Sequence, residues 1–437
     1  MTAERKSQKG NEPMPDPTRA GAISSERQLR EAVARTVAET PILDIHTHLF
    51  SAGFGPLSLW GVDELLTYHY LIAEVLRADR ATPPEAFYAM SLQQRADHIW
   101  RHLFVQGSPI SEAQRGPLTT LRALGIDVSD RSLAPAREYF RDVTLPQHID
   151  TVLRLSNVTS LVMTNDPFDD AERAVWMGPG NTDPRLIPAL RIDGLLIFWE
   201  ANVPRLQGWG YEVSAGADAR ACSEARRFLA DWVGRMKPVY MAVSLPDTFR
   251  FPDDSPRSRL IAGAVLPACQ EHGIPFAMMI GVKRAVNPAL GLAGDGVGKF
   301  DITVLERMCA DYPGVRFLVT LLSRENQHEL AVAARKFPNL MPFGCWWFLN
   351  DPSLIEEITR MRLELLGLSF IPQHSDARIL DQLIYKWQHF REILARVLAD
   401  KYLDSMRAGW PLTSTDIERD VRRLLSGNFE AFVRPRA

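Results

Sequence analysis

Residues 41–49 read PILDIHTHL, and this stretch decides the fold. Ile42, Leu43 and Ile45 are strand formers behind a proline, the pattern of a buried strand that starts abruptly after the helical stretch 26–39. His46 and His48 stand at its end. Residues two apart on a strand share a face, so the two imidazoles converge, and a strand can offer both nitrogens to one metal. Asp44 lies on that face but deeper, where it could orient a histidine as an acceptor. Taken alone, the pair reads first as two hydrogen-bonded core histidines, and its place at a strand end after an apolar run raises the metal reading.

Seven more short apolar stretches follow: VTSLVMT (158–164), RLIPALRI (185–192), VYMAVSL (239–245), IPFAMMIGV (274–282), RFLVTLL (316–322), LMPFGCWW (340–347) and LSFIPQHS (368–375). Helical stretches such as 221–236 and 326–337 separate them. This alternation predicts a parallel sheet of the α/β class, and eight strands close it into a distorted (β/α)8 barrel of the TIM type. Residues 58–145, rich in Leu, Ala, Arg and Glu, read as a helical insertion after the first strand. Residues 380–437 read as a helical tail on the barrel's outside. Residues 1–25 carry charges, proline and glycine but no apolar h-region, so a disordered leader is expected and not a secretory signal. The barrel domain then spans 26–437.

The bulk composition excludes several classes. The chain has 437 residues, 46% hydrophobic and 24% charged, with a formal net charge of -3. It has no basic surplus for nucleic acid and no apolar run near the roughly 18 residues that span a bilayer. Cys222, Cys269, Cys309 and Cys345 form no CxxC pair and read as reduced thiols, which makes the cytoplasm the expected compartment. A small molecule is the expected partner; homo-oligomer formation is left open.

In such barrels the chemistry sits at the C-terminal ends of the strands. The last stretch closes on QHSDAR (373–378). Asp376 is a candidate carboxylate ligand. His374, two residues earlier, should share its face and reach the barrel mouth, as a third ligand or a proton carrier. Arg378 follows two residues later. The competing reading of Asp376 is an N-cap for the next helix. First and last strands are neighbours in a closed barrel, which favours one site built from His46, His48 and Asp376.

Several stretches resemble the uronate isomerase family of the amidohydrolase superfamily. These are GCWWFLNDP (344–352), HSDARIL (374–380), TNDPFDD (164–170), ALRID (189–193), HYLIAEVLR (69–77) and MIGVKRAVN (279–287). The resemblance runs from about Pro41 to Val433. It implies one divalent metal, expected to be zinc, on His46, His48 and Asp376. Asp376 or a metal-bound hydroxide would be the base, and Tyr70 a second acid/base group. Arg191, Arg378 and Arg284 would hold the substrate, and Trp346 and Trp347 would wall the pocket. On a strand the two tryptophans would point opposite ways, so at most one should line the site. Helix packing is the competing role for Tyr70. The implied activity is an aldose–ketose isomerisation of a hexuronic acid such as glucuronate or galacturonate. The chain departs from the family at Met279 and at Ser244-Leu245-Pro246, where the family has histidines, and at Asn165, where it has aspartate. The rival readings are a metal-dependent hydrolase of an amide, ester or lactone, and a degenerate barrel without catalysis.

Overall fold

The computed structural model describes residues 22–434. The expected leader lies outside the described residues up to position 21. Ala22 forms an antiparallel bridge to Thr413, and Ile23 is buried.

Eight strands form one sheet: β1 (Ile42–Thr47), β2 (Val158–Asn165), β3 (Leu186–Arg191), β4 (Met241–Pro246), β5 (Phe276–Lys283), β6 (Gly296–Val297), β7 (Phe317–Leu321) and β8 (Leu340–Pro342). The order is β1-β2-β3-β4-β5-β7-β8, parallel throughout, with the short β6 antiparallel on β5. Side chains alternate between two cores, as the pleat requires. In β5, Ala277 and Met279 face the barrel interior with Ile45, Val162, Ala189, Ala242 and Leu318. Phe276, Met278 and Ile280 face the surrounding helices. Burying one such large side chain contributes about 1.5–3 kcal/mol. Phe429 and Phe432, on the helix Asn428–Val433, close the barrel floor. Arg316, at the start of β7, donates to the carbonyls of Phe432, Arg434 and Gly273 and holds that helix in place.

The eighth position differs from the expected strand. Residues 368–375 make a single bridge, Phe343 to Ile371, and no strand. Pro372 has no N–H to give a ladder. The Ser375 amide donates to the Asp44 carboxylate at 3.1 Å, and Asp376 is in the left-handed region with φ 51°. The segment still shuts the barrel: the Asp376 amide donates to the His46 carbonyl at 3.2 Å, and the His48 amide to the Ala377 carbonyl at 2.8 Å. The stretch 340–347 is likewise strand only to Pro342. Positive φ at Gly344 and Trp347 turns the chain away.

Residues 58–145 contain the helices Val62–Leu66, His69–Ala78, Pro84–Tyr88, Leu92–Trp100, Glu112–Ala123 and Ala134–Asp142. They pack around their own core of Val62, Leu66, Val75, Phe87, Ile99 and Leu103. The helix Gln382–Arg407 packs against Glu26–Glu39. Its first turns carry Lys386 and Trp387 to the barrel: Lys386 Nζ donates to the Ser375 carbonyl at 2.6 Å, and Trp387 Nε1 to Asp44 Oδ2 at 2.9 Å.

Candidate metal centre and cavity at the barrel mouth

Hydrogen bonds fix the tautomers of both β1 histidines. Tyr240 donates its hydroxyl hydrogen to the Ile45 carbonyl at 2.8 Å. Its oxygen, 3.2 Å from His46 Nδ1, therefore accepts from that nitrogen. Thr164 repeats the pattern: its Oγ1 donates to the Thr47 carbonyl at 2.9 Å and accepts from His48 Nδ1 at 3.1 Å. In both rings the proton sits on Nδ1, and the Nε2 lone pair is free. Burial, followed by the neighbouring His48, lowers His46 to about 3. Burial also holds His48 well below its ordinary value. Both rings are thus neutral at neutral pH.

The two free lone pairs face one carboxylate oxygen. Asp376 Oδ1 lies 3.8 Å from His46 Nε2 and 3.4 Å from His48 Nε2. His46 Nε2 and Asp376 Oδ1 are buried, with no hydrogen-bond partner among the described residues. Three acceptors facing one another with no proton between them are unfavourable unless a cation joins them. Ligand separations near 3.4 Å are those of a tetrahedral ion about 2.0–2.1 Å from each atom. His46, His48 and Asp376 therefore fit one divalent metal. Asp376 caps no helix: the following helix starts at Gln382, with Asp381 at its cap position.

His48 and Asp376 open onto a cavity walled by Arg191, Arg284 and Arg378, and by both Trp346 and Trp347. The rule of opposite faces fails for the tryptophans because no strand exists there and Trp347 has φ 48°. Arg191 is held in a fork by Asp193, at 2.8 and 3.3 Å, and Asp193 is itself buried. Arg284 Nη1 donates to Asp295 at 2.5 Å. Ser244 and Met279, standing where the resembled family has histidines, also line the cavity.

Two other expectations are corrected. His374 is fully buried and does not line the cavity. Its ring lies against Phe343 and edge-on to His46, with centroids 5.2 and 5.4 Å away. It stays on the interior side of the barrel beside His46, set back from the opening that Asp376 lines. Asp44 accepts from the amides of His46 and Ser375 and from the Trp387 indole, not from an imidazole. It joins the two edges of the barrel. Tyr70 does not line the cavity, but its ring lies 4.9 Å from that of Tyr68, which does.

Sequence reasoning missed Tyr68, His69 and Lys386. Tyr68 and His69 line the cavity at the N-terminal end of the helix His69–Ala78. Lys386 is buried close to the Asp376 and Asp44 charges. The one available signal was a lysine inside the apolar run LIYKW (383–387).

Behind Arg191 lies a buried acid. Glu172 accepts from Asn165 Nδ2 at 3.1 Å and the Asp166 amide at 2.9 Å. Burial pushes Glu172 up to about 8 and Asp166 up to about 6. A carboxyl with a raised folded-state pKa binds protons more tightly in the fold than in the open chain. Its contribution to stability therefore falls as pH rises from the ordinary glutamate value, about 4.3, towards 8, and then levels off. Glu172→Gln should abolish this loss. Melting curves should show the variant gaining on the parent between about pH 5 and 8; parallel curves would mean that Glu172 is ionised throughout.

A parallel barrel that brings two histidines from its first strand and one aspartate from its closing segment to a candidate metal site is the arrangement expected of the amidohydrolase superfamily. No family model matches the chain, and no curated protein matches it. Solved structures do. A uronate isomerase from Bacillus halodurans superposes with a TM-score of 0.92 at 55% identity, over 94% of this chain and 97% of that one. The chain belongs to the uronate isomerase family. A uronate isomerase from Thermotoga maritima (TM-score 0.75, 16% identity, 94% of this chain and 100% of that one) shares the fold. So does a glucuronate isomerase from Caulobacter crescentus (0.72, 14%, 93% and 94%).

Proposed function

We propose that this protein interconverts a hexuronic acid, D-glucuronate or D-galacturonate, and its keto form, with one zinc ion on His46, His48 and Asp376. The observation that carries the reading is the set of free lone pairs facing one another at the floor of a cavity rimmed by three arginines. A divalent ion held there by His46, His48 and Asp376 would supply Lewis acidity to the substrate's oxygens. The residues do the rest. Arg191, preset by Asp193, and Arg378 suit a carboxylate because the guanidinium fork matches its two oxygens. Arg284, tied to Asp295 at the rim, reaches the distal hydroxyls. Trp346 and Trp347 keep water from the reacting carbons.

Isomerisation moves one proton between neighbouring carbons and one between their oxygens, so it needs two acid/base groups. Asp376 takes the role of base. Burial holds the Tyr70 hydroxyl well above the ordinary tyrosine range. It therefore stays protonated; to give its hydrogen to a developing oxyanion it must move into the cavity that its neighbour Tyr68 lines. The cysteines, all free and buried, support action in the reducing cytoplasm. No described helix is long and apolar enough to cross a membrane.

The assay is conversion of D-glucuronate and D-galacturonate to a ketose acid, followed by NMR. Turnover should vanish with a chelator and return with zinc. Tyr70→Phe should cost about 10²–10⁴-fold in kcat, and Tyr68→Phe much less. The reverse ranking would transfer the acid role to Tyr68. Metal-loaded protein that leaves both uronates unchanged while hydrolysing esters or amides would overturn the isomerase reading.

A further inference from the structure

A second cluster repeats the ligand chemistry of the barrel mouth. Asp79 caps the C-terminal end of the helix His69–Ala78. Opposite it, the helix Leu92–Trp100 and the π-turn Arg101–Val105 present His98 and His102, four residues apart and hence on one face. Asp79 Oδ2 lies 3.1 Å from His98 Nε2 and 3.7 Å from His102 Nε2. The barrel-mouth ligands give 3.4 and 3.8 Å for the same set of two imidazoles and one carboxylate. His98 is 5% exposed, and its Nε2, though aimed at the carboxylate, has no aligned hydrogen-bond partner among the described residues.

From this geometry we infer that Asp79, His98 and His102 form a second divalent-metal site, suited to zinc or a similar borderline cation. Imidazole nitrogens with one carboxylate favour such ions over calcium or magnesium, which prefer all-oxygen cages. Three protein ligands leave a fourth position for water. Ligand separations of 3.1 and 3.7 Å bracket the value of about 3.4 Å for a tetrahedral ion.

Arg101 guards the site. Its Nη2 lies 3.3 Å from His98 Nδ1 and 3.4 Å from His102 Nε2. The guanidinium only donates, so His98 Nδ1 accepts and the His98 proton lies on Nε2, facing Asp79; an entering ion must displace both Arg101 and that proton. Arg101 is exposed and can swing into water. A ten-residue helix is about 15 Å long, so the site lies about that far from the cavity, at the other end of the helix that begins with His69 and Tyr70. An ion there would pin that helix to its neighbour without touching substrate.

The test uses full-length His46→Ala/His48→Ala protein, which lacks the barrel-mouth imidazoles, titrated with zinc by calorimetry and counted by elemental analysis. One zinc per chain should remain and raise the melting temperature. Adding His102→Gln or His98→Gln should abolish it. Adding Arg101→Ala should lower the Kd about five-fold, since a competing charge is gone. If the double variant does not fold, the same count is made on the parent chain: two zinc ions, falling to one in His102→Gln with the melting transition still cooperative. A double variant that binds no zinc, or zinc binding indifferent to His98, His102 and Arg101, overturns the site.

Discussion

Asp376→Asn should lower kcat/KM at least about 10³-fold, because on the proposed reading one substitution removes both the base and the charged ligand of the candidate metal centre. Asparagine keeps the size and tolerates the left-handed backbone at φ 51° as aspartate does. The barrel should therefore remain folded, and the loss be chemical. Bound zinc should fall well below one per chain at that centre, while circular dichroism and the melting temperature of metal-free protein stay close to the parent's. Alanine would be a poorer test, since it adds backbone strain to the chemical loss. An Asp376→Asn enzyme that kept both its zinc and its turnover would remove Asp376 from the centre.

Gly344→Ala should be the most destabilising single methyl in the site. Gly344 has φ +62°, and a Cβ there would lie 1.7 Å from His374 Nδ1. The ring has nowhere to go, since it is fully buried between Phe343 and His46. The backbone is held too: the Gly344 amide donates to the Ile371 carbonyl at 2.8 Å, and its own carbonyl accepts from Arg362 at 2.8 Å. Overpacking of this kind costs about 1–3 kcal/mol, and the left-handed backbone adds about 1 kcal/mol. The melting temperature should drop by several degrees, and zinc should bind more weakly as His46 is pushed. The double variant Gly344→Ala/His374→Ala should recover the packing part and leave only the backbone cost. A melting temperature unchanged in Gly344→Ala would show that the ring has room.

The case of His374 shows why the site was only partly legible in the sequence. Where a strand is regular, two-residue spacing places side chains correctly, and His46 and His48 followed that rule from β1. The same rule applied to residues 374 and 376 held only in part: His374 turns inward beside His46 but does not reach the cavity. Pro372 withholds a ladder bond, and Asp44 takes the Ser375 amide away from the ladder. Apolar runs and alternation report burial and period, so the strands before the last two were visible, apart from the two-residue β6. They do not report left-handed residues other than glycine, and Trp347 and Asp376 are two of these. Tyr68, His69 and Lys386 were hidden for another reason. They reach the site from helices outside the strand order, and helical spacing says which face is buried but not against what.

The joint between β1 and residues 370–377 is a thin part of the cylinder. A register of six residue pairs joins β4 to β5, whereas this joint has a few backbone bonds and the bridging Asp44 carboxylate. It also joins distant parts of the chain: Asp44 and Ser375 are 331 positions apart. The centre built from His46, His48 and Asp376 straddles this joint, so its ligands come together only when the cylinder is shut. An ion held there acts as a clasp, and occupancy and closure become one linked equilibrium. At a free concentration one hundred times its Kd, such an ion adds about 2.7 kcal/mol to the closed form. Metal supply would then govern how long the molecule survives as well as how fast it works.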